Sequence, residues 1–191
     1  MSGKPRLLDT FCKAGGCSVG YARAGFEVEG VDVEPQPRYP YRFHQADALE
    51  FIREHGHEYD VIHASPPCQK YSQVNRLQHL RHKKYPDLLG KTRDLLCSIG
   101  IPWILENVEA APMSCAVRLC GSSFGLLVRR HRLFETSFLL LAPPCSHAWQ
   151  DRLGARFPTA FRSRKYLDAK GRKQKRLSTV VKVYGNTAGK K

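Results

Sequence analysis

Strand-like and helix-like segments alternate along the first 107 residues, and that alternation leaves the chain few folds to adopt. Arg6–Phe11 reads as a strand, Gly15-Gly16 breaks it, and Ser18–Ala24 reads as a helix opening at the turn. Val28–Val33 is a second strand, stopped by Pro35 and Pro37, and Ala46–Glu54 a short helix. Tyr59–Ala64 is another strand, ended by Pro66-Pro67; Leu88–Ile99 looks helical, and Pro102–Asn107 is strand again. Strands separated by helices pair in parallel, so the expected class is α/β, Rossmann-like, with a mostly parallel sheet and ligands at the C-terminal strand ends. After Arg132 the run Leu133–Leu141 reads as β, and beyond Pro143-Pro144 the pattern dissolves into basic loop.

Charge divides the chain differently. The formal net charge of the 191 residues is +14, from 31 Lys+Arg against 17 Asp+Glu. Residues 136–191 hold 13 basic groups and only Asp151 and Asp168, a net of +11, which leaves +3 for residues 1–135. The expected organisation is a catalytic, cofactor-binding body over 1–135 and a short basic segment over 136–191. Such a segment is drawn to a polyanion, with Arg172, Lys173, Lys175 and Arg176 the densest cluster and Phe157, Phe161, Tyr166 and Tyr184 interleaved. The plainer reading is a solvated tail. No apolar run approaches the roughly 18 residues that span a bilayer, and no signal-peptide pattern opens the chain, so a soluble cytoplasmic protein is expected.

Seven scattered cysteines without a Cys-x-x-Cys pair argue against an oxidised framework. A zinc site of Cys115, Cys120, Cys145 and His147 has weak spacing, and the thiols read mainly as buried small hydrophobes, so no metal is expected.

The strand ends carry the chemistry. Phe11-Cys-Lys-Ala-Gly-Gly16 is a glycine-rich turn opening a helix, where a ligand can approach the backbone and an anion is favoured. Asp32 ends the second strand, where an acid can accept both hydroxyls of a ribose; together they suggest an adenosine-containing cofactor. A tight turn followed by a capping acid is the bland alternative. Ser65-Pro-Pro-Cys-Gln69 ends the third, with two prolines fixing the backbone ahead of the Cys68 thiol. Glu106-Asn107-Val108 ends a neighbouring strand, and a thiol beside an acid suits covalent catalysis.

In this order the motifs resemble those of the DNA (cytosine-5) methyltransferases, which use S-adenosylmethionine, over about residues 6–135. Leu8-Asp-Thr-Phe-Cys-Lys-Ala-Gly-Gly-Cys-Ser18 resembles the family's first motif, and Asp32-Val33 its ribose-binding acid and adenine neighbour. Asp47 resembles the acid at the adenine amine, Ser65-Pro-Pro-Cys-Gln-Lys-Tyr-Ser72 the nucleophile motif, and Glu106-Asn-Val108 the Glu-Asn-Val motif. Phe124-Gly-Leu-Leu-Val-Arg-Arg-His-Arg-Leu-Phe134 resembles the arginine motif. The resemblance implies the S-adenosylmethionine-dependent methyltransferase fold, with Cys68, Glu106, Arg130 and Arg132 catalytic. It implies cofactor contacts from Phe11, Cys12, Lys13, Ala14, Gly15, Gly16, Asp32, Val33, Asp47 and Pro67, and DNA contacts from Gln69 and Ser72. The implied partner is double-stranded DNA, from which the target cytosine is taken out of the stack; a restriction-modification role goes with it.

The chain departs from the family pattern in three ways. Lys13 stands where a small residue is usual, and Val128 replaces a Gln. The closing motifs have no counterpart beyond a faint Gly-Asn pair in Tyr184-Gly-Asn-Thr-Ala188. A short virus-type or truncated member is expected, a monomer unless a partner chain completes the cofactor pocket. Two alternatives stand beside it: an RNA cytosine-5 methyltransferase, and a catalytically impaired nucleic-acid-binding protein of the same fold. A cation at Lys13 also suits a cofactor analogue bearing an extra carboxylate, against the plainer reading of a surface lysine.

Overall fold

The computed structural model describes residues 3–71 and 85–152, together with the backbone of 153–156, 166–167 and 173–174. Two compact units result: the first comprises Met1–Val117 and Leu133–Leu140, the second Arg118–Arg132 and Leu141–Lys191.

The first unit is built on short strands: β1 (Arg6–Thr10), β2 (Glu27–Asp32), β3 (Arg42–Gln45), β4 (Val61–Ala64) and β5 (Trp103–Asn107), all but β3 carrying aliphatic residues. Helices α1 (Gly16–Arg23), α2 (Ala48–His55) and α3 (Leu89–Ile99) connect them. The β1–β2, β2–β3, β1–β4 and β4–β5 pairs are all parallel. β6 (Val117–Cys120) and β7 (His131–Thr136) follow, β7 antiparallel to β5, in the sheet order β3-β2-β1-β4-β5-β7-β6. Leu8, Val31, Ile62 and Leu105 from the strands and Ile52, Leu89 and Leu96 from the helices form the core, each fully buried. The expected α/β fold with a mostly parallel sheet is what the chain adopts.

Strand order reverses between β1 and β4. In a doubly wound sheet the C-terminal ends of the two strands at such a reversal diverge and leave a crevice. β1 and β4 are in register through Thr10 and Ala64, and Ser65 N–H donates to the Thr10 carbonyl at 3.3 Å, so the two ends begin level. On the β2 side, the Tyr39 ring occupies the space a Cβ would need at Gly30, 2.2 Å from that position, which explains a glycine inside a strand.

The second unit contains β6 after its first residue, the first two residues of β7, α4 (His147–Arg156), and the two-stranded antiparallel pair β8 (Tyr166–Leu167) and β9 (Lys173–Gln174). Helix α4 corrects the expectation of a basic loop after Pro144. Among its described side chains only the polar Gln150 is buried, so hydrophobic periodicity gave no sign of the helix. Gln150 Nε2 donates to the Leu126 carbonyl at 2.7 Å and the Val128 carbonyl at 3.3 Å, and its Oε1 accepts from Arg129 at 3.1 Å.

Candidate active site

The β1–α1 turn is tightly wound. Phe11 and Lys13 take left-handed backbone at φ 58° and 47°, and Gly15 follows at 80°. Gly15 is required twice over, since a Cβ there would also sit 2.8 Å from Pro40 and 2.9 Å from the Tyr39 ring. A bond from Cys12 N–H to the Val31 carbonyl (3.2 Å) pins the turn to β2. Asp32, at the end of β2, is 3% exposed, and its carboxylate accepts from the backbone N–H of Lys13 (3.1 Å) and of Glu34 (3.0 Å). The turn and the acid are therefore one assembly. Val33 beside it is 66% exposed, an apolar face open to a flat ligand.

Lys13 is an exposed lysine beside the turn, and it is paired. Its Nζ lies 2.8 Å from Glu34 and 3.4 Å from Asp32. Burial opposes its charge, but those two carboxylates outweigh burial and raise its pKa above the ordinary lysine value. Cys12 is unsuited to nucleophilic work: burial first, then Asp9 and Asp32, push its thiol up to about 12. Asp47 is exposed and caps α2, accepting through Oδ1 from Leu49 N–H at 2.8 Å and Glu50 N–H at 3.1 Å. That cap gives Asp47 a structural duty independent of any ligand.

Cys68 follows β4 on the Ser65-Pro66-Pro67 segment and is half-buried. At the end of β5, the fully buried Asn107 donates from Nδ2 to the Pro66 carbonyl at 3.1 Å. Its Oδ1 accepts from Val108 N–H at 2.9 Å. One amide side chain thus staples the diproline segment to the strand that carries Glu106, itself half-buried. Beyond Cys68 the backbone turns back, with Tyr71 N–H donating to the Cys68 carbonyl at 3.0 Å. Asp87 then anchors that turn, accepting from Lys70 and Tyr71 at 2.5 Å each.

Beneath the crevice lies a polar network that sequence reading missed. Asp9 on β1 and His63 on β4 are both buried and meet at 2.9 Å. Ser18 of α1 donates to Asp9, Tyr39 bonds Ser18 at 2.8 Å, and Cys17 Sγ lies 4.0 Å from His63 Nε2. Burial pulls the imidazole pKa down, but the hydrogen bonds to Asp9 and Cys17 prevail and carry it well above the ordinary histidine value. Asp9 and His63 are 54 residues apart, and only strand pairing brings them together.

Arg130 and Arg132 belong to the second unit, just before and within β7 respectively; Arg132 donates to the His131 carbonyl at 2.7 Å. Their neighbour Arg129 is structural, paired with Asp151 at 2.6 Å and bonded to the His147 carbonyl at 3.2 Å. Gln69 is exposed. Ser72, Arg172, Lys175 and Arg176, with Phe157, Phe161 and Tyr184, lie outside the described residues, and of Lys173 and Tyr166 only the backbone is described. The thiols do not behave as expected: Cys12 and Cys120 are buried, but Cys17, Cys97 and Cys115 are exposed and Cys68 and Cys145 intermediate. Five of the seven lie on turns, segment ends or outward helix faces, where no core is available to bury them. Among the described residues no helix is long and apolar enough to cross a membrane.

No protein-family model and no curated protein matches the sequence. Solved structures with related architecture include a hypothetical protein of Thermus thermophilus, 15% identical, covering 71% of this chain and 76% of that one at a TM-score of 0.47. An S-adenosylmethionine-dependent methyltransferase of Agrobacterium tumefaciens is 17% identical over 71% of this chain and 56% of its own, at 0.45. A Burkholderia thailandensis 1,6-didemethyltoxoflavin-N1-methyltransferase, solved with S-adenosylhomocysteine, is 13% identical over 75% and 72%, at 0.43.

Proposed function

We propose that the chain transfers a methyl group from S-adenosylmethionine to C5 of a flipped-out cytosine in double-stranded DNA, through a covalent adduct between Cys68 and C6. The observation that carries the reading is the 3.1 Å bond from Asn107 to the Pro66 carbonyl. It fastens the segment bearing a thiol to the strand end bearing a carboxylate, beside the crevice where strand order reverses.

The first unit's residues suit the cofactor. The backbone N–H groups of Lys13 and Glu34 hold the Asp32 carboxylate in place, as a ribose diol requires, and Val33 offers an apolar face to a base. Gly16 has nothing within 4 Å of the position a Cβ would take, so a ligand can approach the backbone there. The Phe11–Gly16 turn, Asp32, Val33, Asp47 and Pro67 would hold the cofactor, which when bound supplies an electrophilic methyl group. Cysteine in this role attacks C6 as the thiolate and makes C5 nucleophilic. Glu106 holds the N3 and amino edge of the base and supplies the proton that stabilises the adduct. Loss of the C5 proton then restores the aromatic ring and expels Cys68. Arg130 and Arg132 neutralise charge at the base carbonyl and the adjoining phosphate. Residues 1–135 form the catalytic body in this reading. Gln69, Ser72 and the basic segment 136–191 meet the DNA.

Transfer of labelled methyl from S-adenosylmethionine to DNA and to RNA, with mapping of the modified base, tests the proposal. Methyl on cytosine C5 of DNA is expected, together with trapping on 5-fluorocytosine DNA that requires Cys68. Labelling confined to RNA, or trapping that survives Cys68→Ala, would overturn it.

A further inference from the structure

In the second unit, four side chains with metal-binding atoms converge. Cys120 ends β6, His131 opens β7, Cys145 precedes α4, and His147 is its first residue. Their Sγ and Nε2 or Nδ1 atoms all lie within 4.8 Å of one another. His131 Nε2 to His147 Nε2 is 3.1 Å, Cys145 Sγ to His131 Nε2 3.5 Å, and Cys120 Sγ to His147 Nε2 3.4 Å. Zinc bonds of about 2.0–2.1 Å to nitrogen and 2.3 Å to sulfur, arranged tetrahedrally, give edges of about 3.3 Å between nitrogens and 3.6 Å between nitrogen and sulfur. The observed separations match those edges to about 0.2 Å.

Two further features point the same way. Among the described residues of this unit, the buried ones are Cys120, Ser122 and Gln150, so the buried side chains described around the cluster are polar or sulfur-bearing rather than aliphatic. A supporting shell surrounds the cluster: Ser122 donates to Cys120 Sγ at 3.2 Å and is itself held by Ser146 N–H at 3.1 Å, while Arg129 grips the His147 carbonyl.

We propose that Cys120, His131, Cys145 and His147 bind one zinc ion in a closed, structural site. Four protein ligands leave no position for water or substrate, so the ion's task is to pin β6, β7 and the start of α4 to one point. The sequence spacing suggests Cys115 as a ligand. It is exposed and outside the cluster, and His131 takes that place. Asp9, Cys17 and His63 also converge, but they offer only three ligands, and the Asp9–His63 pair is already satisfied by hydrogen bonding.

Elemental analysis of the full-length protein, purified reduced and without chelator, should give one zinc per chain. Cobalt exchanged into the site should show tetrahedral visible bands and a thiolate charge-transfer band. His131→Ala should drop the zinc to below a tenth per chain, and His131→Cys should restore it while strengthening the charge-transfer band by about half, from two thiolates to three. Cys17→Ala should keep full stoichiometry. If a ligand variant fails to fold, the cobalt spectrum of the unmodified protein still decides the matter. Metal-free protein whose melting temperature ignores added zinc would overturn the site, as would a Cys120–Cys145 disulfide in the reduced preparation or full zinc in His131→Ala.

Discussion

Leu8, Ile62 and Leu105 lie fully buried in the first unit, whereas the buried residues described in the second are a cysteine, a serine and a glutamine. The first unit removes aliphatic surface from water, and each such side chain contributes roughly 1.5–3 kcal/mol. The second leaves Phe124, Leu126 and Leu127 between 42% and 55% exposed and directs its Cys and His side chains inward. In the described part of the second unit, a bound metal supplies the ordering that apolar burial supplies in the first. The same chain thus uses two means of ordering its backbone, and each fails under a different insult.

Chelation should separate them most sharply. Structural zinc contributes on the order of 10 kcal/mol to the folding of small units, so its removal should cut amide-exchange protection at 118–132 and 145–152 by about a thousandfold or more. β1, β4 and β5 should keep theirs. Equal loss in both units would erase the distinction. Chemistry is the next test: Cys68→Ala should lower methyl transfer by about four orders of magnitude or more while the thermal transition stays in place. In the core, Leu105→Ala should cost about 2–5 kcal/mol by urea unfolding, against about 0.5 kcal/mol or less for the exposed Leu126→Ala. If the two costs prove alike, the second unit has apolar packing after all.

A smaller effect belongs to the Asp9–His63 pair. The folded imidazole pKa is raised, so its contribution is complete below the unfolded value of about 6.5 and is lost as pH rises through the folded value. Urea midpoints should therefore fall between about pH 6 and pH 9, and His63→Gln should flatten that fall. A profile indifferent to His63 would mean that the imidazole is neutral in the folded state.

Much of the first unit was legible because its strands are short aliphatic runs stopped by Gly or Pro. β1, β2, β4 and β5 lie within a residue or two of where the sequence puts them. β3 was not legible: Arg42-Phe-His-Gln45 is an edge strand with no buried residue to create a pattern. For the candidate site, sequence order paired the turn with Asp32, and the register of β1 with β4 accounts for why they share an edge with Cys68. It gave no hint of Asn107 as the staple, because an amide bonding a proline carbonyl 41 residues away leaves no local signature. His131 was hidden for another reason. It sits inside Arg129-Arg-His-Arg132, where the charges draw attention to anions and away from metals.

The left-handed backbone at Lys13 has an evolutionary consequence. A residue with a Cβ gives up about 1–2 kcal/mol there, which glycine would recover. A library selected for heat resistance alone should therefore drift towards glycine at position 13. That substitution strips the shared ammonium from Asp32 and Glu34. Asp32 and Glu34 would then lose the cation between them, so loss of the acid at position 34 should follow as a second step. The reverse order gains little. Lineages descended from this turn should show that epistasis as a fixed sequence of replacements, lysine first and glutamate after it.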